Sequence, residues 1–147
     1  MKIALGADHA GFPLKEHLGR LLREKGHEVE DLGTFSDDSV DYPDFAAAVG
    51  RAVAGGGAER GVLVCGTGIG VAMAANKLDG VRAANCNDLF SARVARAHND
   101  ANVLALGARV VGSGLAEEIV RTFLETEWEG GRHRRRVDKI RELERAP

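Results

Sequence analysis

The chain is short of the residues that would commit it to several broad classes. It has two cysteines in 147 residues, Cys65 and Cys86, with no C-x-x-C spacing. Neither a disulfide framework nor a zinc site is expected from that pattern. No apolar run approaches the roughly 18–20 residues of a membrane span. The net charge is −2, so the chain lacks the basic surplus of a nucleic-acid binder. The opening MKIALGADHAG has too short an apolar stretch for a secretory signal before Asp8 and His9 interrupt it. A soluble, cytoplasmic protein is the expectation.

What the chain does have is a regular alternation. KIALGA (2–7), HEVEDLG (27–33), GVLVCG (61–66), VRAANC (81–86) and NVLALGA (102–108) read as strands. Residues 13–26, 43–56, 70–78, 88–98 and 113–128 read as the helices that follow them. Leu14, Leu18, Leu21 and Leu22 share one face of the first helix; Pro13 suits its first turn and Gly26 its stop. Phe45, Val49 and Val53 stripe the second, and Asp88 is placed to cap the fourth. EGG at 129–131 breaks the chain before a basic C-terminal helix. The pattern predicts an α/β protein: a three-layer Rossmann-like fold with a five-stranded parallel sheet covered on both faces, plus a C-terminal helix. No linker divides residues 1–147, so one domain is expected. The polar loop TFSDDSVDY (34–42) is expected to be exposed.

In such a sheet ligands bind outside the carboxyl ends of the strands. Three clusters fall there: Asp8-His9 after the first strand, Cys65 to Gly70 after the third, and Arg109 past the fifth. Gly66, Gly68 and Gly70 let the backbone turn tightly. The free N–H groups at the start of the next helix then make an anion cradle. A dinucleotide phosphate is one candidate anion. The match to G-x-G-x-x-G is poor, because GTGIGV brings its third glycine one position early. A thiol at a helix N-terminus gains thiolate character, which makes Cys65 a candidate nucleophile or general base. The alternative is a small buried hydrophobe, which is the expectation for Cys86.

GADHAG (6–11), CGTGIG (65–70), AANK (74–77), HNDANVLALGARVVG (98–112) and EGGRHRRRV (129–137), in that order, resemble the type B ribose-5-phosphate isomerases. The wider family includes galactose-6-phosphate and allose-6-phosphate isomerases. The resemblance implies a metal-free and cofactor-free aldose–ketose isomerase that interconverts ribose 5-phosphate and ribulose 5-phosphate through an enediolate. Family members use a cysteine or a glutamate as base. Ile69-Gly70-Val71 carry no acid, so the chain resembles the cysteine branch. Cys65 is then the base, and the backbone N–H groups of Gly66, Thr67, Gly68, Ile69 and Gly70 hold the developing oxyanion. Such donors are worth roughly 3–4 kcal/mol each.

The resemblance also gives His98, aided by Asp8, the opening of the sugar ring. Thr67 and Asn99 resemble partners for the sugar hydroxyls, and Tyr42 a wall of the pocket. Arg109 and His9 resemble phosphate contacts. Arg132 and Arg136 sit four apart on one helical face and can converge on the same phosphate. Arg134 and Arg135 point elsewhere, toward solvent or a second subunit. A nucleic-acid role for RHRRR is disfavoured, because DKIRELER beside it mixes charge signs and no aromatics interleave. His17, His27 and His133 read as ordinary surface residues.

His98 ends the helix after the fourth strand, at the sheet edge opposite Cys65. A homodimer in which the partner subunit's His98 completes the site is therefore expected, and the resemblance implies the same; pairing of dimers into tetramers stays open. Three alternatives stand beside the pentose reading: a hexose 6-phosphate as substrate, a non-catalytic nucleotide-binding module, and a cysteine hydrolase.

Overall fold

The computed structural model describes residues 1–145. Strands β1 (Lys2–Ala7), β2 (Glu28–Asp31), β3 (Arg60–Cys65), β4 (Ala83–Asn85) and β5 (Val103–Gly107) form one sheet in the order β2-β1-β3-β5-β4. Every pairing is parallel. The helices are α1 (Phe12–Glu24), α2 (Tyr42–Ala54), α3 (Ile69–Ala75), α4 (Leu89–Ala97), α5 (Ser113–Glu125) and α6 (Arg132–Leu143). This is the three-layer α/β architecture expected from the alternation, with the extra C-terminal helix.

The strands bury both faces, and side chains alternate between them. Ile3, Leu5, Val62, Val64, Leu104 and Leu106 face α1, α4 and α5, and pack with Leu18, Ala92, Ile119 and Phe123. Ala4, Leu63, Cys65, Val103 and Ala105 face α2 and α3, and pack with Val49, Val53 and Val71. Cys65 therefore points to the α2–α3 side.

The boundaries differ from expectation by a few residues, each for a local reason. The second strand stops at Asp31, because Gly33 turns the chain at φ 95°. The fourth strand shrinks to three residues, with Val81 buried in the preceding loop. The last of the five helices ends at Glu125, where Thr126 turns extended and its hydroxyl bonds back to the Thr122 carbonyl at 2.6 Å. Asp88 caps α4 as expected, accepting the Ser91 N–H at 2.7 Å. Gly26 follows α1 at φ 90°. The loop 34–42 is mostly exposed, but Thr34 is buried and Tyr42 already belongs to α2.

One buried charge gave no sign in the sequence. Lys15 on α1 is fully buried, and its Nζ donates to Asp31 Oδ2 at 2.6 Å and Glu16 Oε1 at 2.8 Å. The rings of Phe35 and Phe12 lie 5.2 and 5.5 Å from the ammonium. Asp31 Oδ1 also accepts the Gly33 N–H, so the pair ties α1 to the end of β2. Removing Asp31 leaves the buried ammonium with Glu16 as its one acidic partner, whereas an apolar replacement of the lysine leaves Asp31 partly exposed and still accepting the Gly33 N–H. Asp31→Ala is expected to cost roughly 3 kcal/mol and Lys15→Met distinctly less. Urea unfolding of both variants checks the order; the reverse ranking would show that the ion pair is not what holds α1 there.

Candidate active site

The strand order reverses between β1 and β3: the chain leaves β1 toward β2 on one side and β3 toward β4 on the other. That is the switch point at which open α/β sheets bind ligands. The Asp8 N–H donates to the Val64 carbonyl at 3.2 Å, joining the two strand ends. Asp8 is 7 % exposed, and its Oδ1 accepts the Gly11 N–H at 3.0 Å where α1 begins. His9 Nδ1 accepts the Val40 N–H at 3.1 Å. Because the backbone is the donor, Nδ1 carries no proton and the neutral ring keeps its hydrogen on Nε2.

Cys65 ends β3, and its Sγ accepts the Gly68 N–H at 3.1 Å. Gly68 sits at φ 83°, and a Cβ there would come within 2.2 Å of the Asn85 side-chain nitrogen. Glycine is required on both counts. The Ile69 N–H donates to Thr67 Oγ1 at 3.1 Å, so the threonine hydroxyl braces the turn from within. Arg109 N–H donates to the Gly66 carbonyl at 3.0 Å, and its side chain lies along Gly66. The Tyr42 ring packs directly on Gly70. The chain thus gathers Asp8, His9, Tyr42, Cys65 to Gly70 and Arg109 at one edge.

Two residues there were missed by sequence reasoning. Asn85 and Asn87 both donate to the Thr67 carbonyl, at 3.1 and 3.2 Å, and Asn87 Oδ1 accepts the Gly107 N–H at 2.9 Å. They lock the turn to β4 and β5. Their signal was two polar amides flanking Cys86 at the carboxyl end of a strand.

The remaining candidates lie at the opposite edge. His98 is the C-terminal cap of α4, and the six residues of β3 alone span roughly 20 Å between the edges. Its ring stacks on His133 with centroids 4.2 Å apart and planes 12° from parallel. Glu129 Oε1 lies 3.9 Å from His98 Nε2 and 3.6 Å from His133 Nε2. Asn99, Arg132 and Arg136 are exposed nearby on the chain. Beside them a cleft of about 580 Å³ opens between the end of α3, β4 and α6, with Asn76, Arg82, Asn99, Ile140 and Glu144 in its wall. His133 corrects the sequence reading: it is 7 % exposed, not a surface residue, because α6 turns it inward against α4. Burial holds its basicity below the usual imidazole range, with the positive charges of His98 and Arg132 adding to the effect and Glu129 opposing it. His17 and His27 are partly exposed, the former 3.0 Å from Glu117. Arg134 lies over the Trp128 ring at 4.6 Å.

Fold and site together define a doubly wound α/β protein with a thiol at the start of a glycine-rich turn beside the switch point. Residues 3–140 match the model of the Ribose/Galactose Isomerase family, and the chain belongs to that family. It is 51 % identical to the ribose-5-phosphate isomerase B of Escherichia coli K12, over 97 % of this chain and 96 % of that one. A ribose-5-phosphate isomerase B structure from Clostridium thermocellum superposes with a TM-score of 0.98 at 52 % identity, covering 99 % and 98 % of the two chains. The ribose-5-phosphate isomerase B of Mycoplasma genitalium, solved with bound ribulose-5-phosphate, superposes with a TM-score of 0.95 at 43 % identity, covering 99 % and 97 %. Among the described residues no helix is long and apolar enough to cross a membrane.

The two thiols differ in a way that alkylation reads. Both are buried; burial and the Asp88 charge push Cys86 up to about 11, whereas the Cys65 sulfur accepts the Gly68 N–H at the start of the turn. Iodoacetamide at neutral pH is expected to label Cys65 first. Peptide mass spectrometry over time checks this; faster labelling of Cys86 would contradict the geometry of the turn.

Proposed function

We propose that this chain, acting as one domain over residues 1–147 (the last two outside the described residues), interconverts D-ribose 5-phosphate and D-ribulose 5-phosphate, with Cys65 as the base. The observation that carries the reading is the Cys65 sulfur at the switch point, hydrogen-bonded by Gly68 N–H and flanked by Asp8, His9 and Arg109. The likeness to ribose-5-phosphate isomerases of known structure supports the substrate.

The proton flow balances without a redox partner. In the open-chain aldose the Cys65 thiolate takes the proton from C2. The electron pair of that bond becomes the C1–C2 double bond, and the carbonyl electrons move to O1. N–H groups of the 66–70 turn other than those of Gly68 and Ile69, which are given to Cys65 Sγ and Thr67 Oγ1, hold that oxygen as its charge develops, which is where such donors stabilise most. A proton passes from O2 to O1, Cys65 returns its proton to C1, and the ketose forms. Thr67 and Asn99 hold sugar hydroxyls, and Tyr42 walls the pocket. His98, with Asp8, moves the protons that open the furanose before this step. Arg109, Arg132, Arg136 and His9 hold the phosphate.

Within one protomer His98, Asn99, Arg132 and Arg136 lie a sheet-length from Cys65. A homodimer with sites shared between subunits reconciles the two groups. Cys65→Ala and His98→Ala are each expected to lose turnover of ribose 5-phosphate, the latter by about 10²–10⁴-fold. Subunits of the two inactive variants, unfolded and refolded together, are expected to regain about a quarter of wild-type activity, since half the dimers are mixed and each has one intact site. No recovery, with mixed dimers demonstrated, would place each site within a single chain. Assaying allose 6-phosphate and galactose 6-phosphate in parallel tests the pentose assignment, and preference for either hexose would overturn it. Arg136→Ala is expected to raise KM with little change in kcat; an unchanged KM would remove it from the phosphate site.

A further inference from the structure

The block EGGRH at 129–133 contains more than one phosphate arginine. Glu129 and His133 have no part in the proton flow above, yet they are the residues packed on His98. The Glu129 N–H donates to the Ala97 carbonyl at 3.0 Å, one residue before His98. Gly130 and Gly131, both at positive φ, then reverse the chain into α6. That turn delivers the His133 ring to the face of His98, nearly parallel to it. The His133 side chain is 9 % exposed and that of His98 37 %. One ring is thus buried and fixed, and the other lies on it with an edge open to a ligand.

Three donor atoms this close also invite a metal reading. The ligand atoms of His98, Glu129 and His133 all lie within 4.8 Å of one another. But parallel stacked rings direct their nitrogen lone pairs side by side, not toward one centre, whereas a tetrahedral ion needs them to converge. The geometry suits a pair of rings packed face to face, one steadying the other, better than it suits a cation.

We infer that His133 is a positioning residue for the ring-opening step: its buried imidazole fixes the plane of His98 by stacking, Glu129 steadies the charge on the pair, and α6 thereby ties the ring-opening group to the phosphate arginines. The inference rests on the proposed isomerase activity and goes beyond it by giving a role to residues that touch no substrate. Two stacked imidazoles do not both accept a proton, since like charges in contact repel. His133 is the one held neutral, by its burial and by the nearby cations. His98 is left for the ring-opening role given to it above. The charged groups that face His133 are His98 from the end of α4, Glu129 from the α5–α6 turn, and Arg132 and Arg136 from α6 itself. The fold binds the neutral form of His133. Its contribution is therefore complete above the ordinary imidazole range and is lost as pH falls through that range.

The experiment compares His133→Ala, His133→Phe and Glu129→Gln with wild type, with circular dichroism as a check on folding. The readouts are kcat and KM for ribose 5-phosphate, the pH profile of kcat, and the inhibition constant of an open-chain four-carbon phosphohydroxamate. That compound mimics the enediolate and needs no ring opening. His133→Ala is expected to lower kcat roughly tenfold through misplacement of His98, with KM and the inhibition constant held within about twofold. His133→Phe keeps a stacked ring that does not titrate. It is expected to recover most of the activity and to retain a larger fraction than wild type near about pH 5.5. Glu129→Gln is expected to fall between wild type and His133→Ala. An unchanged kcat in His133→Ala overturns the inference. So does a parallel rise in KM and the inhibition constant, which would mean that His133 serves only to seat the arginines of α6. Absence of turnover in wild type would instead sink the isomerase reading, so the two failures are distinct. If His133→Ala does not fold, His133→Phe and Glu129→Gln decide, and a wild-type pH profile in both overturns the inference.

Discussion

Everything gathered at the carboxyl edge depends on the parallel pairing of β1 with β3, which runs from Ile3 opposite Arg60 to Ala7 opposite Val64. That register sets Asp8 beside the end of β3, so that Cys65 and the Asp8-His9 turn lie together at one edge of the sheet. A slip of β3 by one residue would turn Cys65 from the α2–α3 side to the α1 side. Hydrophobicity alone does not forbid the slip, because both faces of this sheet are apolar. Shape does. Val49 of α2 seats where the sheet carries Gly6 and Gly61; a Cβ at those positions would come within 2.7 and 2.6 Å of it. Any other register brings a larger side chain under Val49.

The elements that were legible in the sequence are those that repeat a simple rule. Five apolar runs separated by 3.6-residue patterns leave little choice but a parallel sheet with helices on both faces. Asp88 and Gly26 were legible as a cap and a stop because those tasks are local. The strand order was not, since nothing in the periodicity says that β5 lies between β3 and β4. Nor was His133, which differs from its arginine neighbours only in the direction a two-glycine turn sends the helix. Asn85 and Asn87 were hidden for a related reason: their work is to bind a carbonyl that is eighteen or more residues away.

The distribution of candidate groups between two edges has a physical origin in the connectivity. In a parallel sheet every strand delivers its chain to the same edge, and every crossover helix returns it. Residues that end strands therefore gather at one edge, and residues that end helices gather at the other. Cys65 and Arg109 follow strand ends; His98 and Asn99 follow a helix end. No side-chain motion spans a sheet length, so one copy of this fold does not by itself assemble a site from both sets. Under the proposed function a second copy related by symmetry offers the missing edge at no cost in new sequence.

The charges on α6 separate its structural from its binding face. Arg141 lies near Asp100, which also pairs with Arg82 and Arg96, and Glu144 caps the Gly80 N–H at 2.8 Å. These contacts seat the C-terminal half of the helix against the amino edge of the sheet. Arg134 is spent on Trp128. Among the described residues neither Arg132 nor Arg136 has an acidic partner within 4 Å. Two guanidinium groups one turn apart repel each other and gain nothing from a neighbour. Arg135 likewise has no acidic partner among the described residues, and of the arginines on α6 only Arg141 is paired with acids; under the proposed function the Arg132–Arg136 pair takes an anion from outside. A phosphate monoester, with its three oxygens and two charges, matches the fork geometry of both side chains. Because the chain as a whole is slightly acidic, this is a local site and not a general field. On the proposed function that anion is the substrate phosphate, and the His98–His133 stack stands at the start of the same helix face.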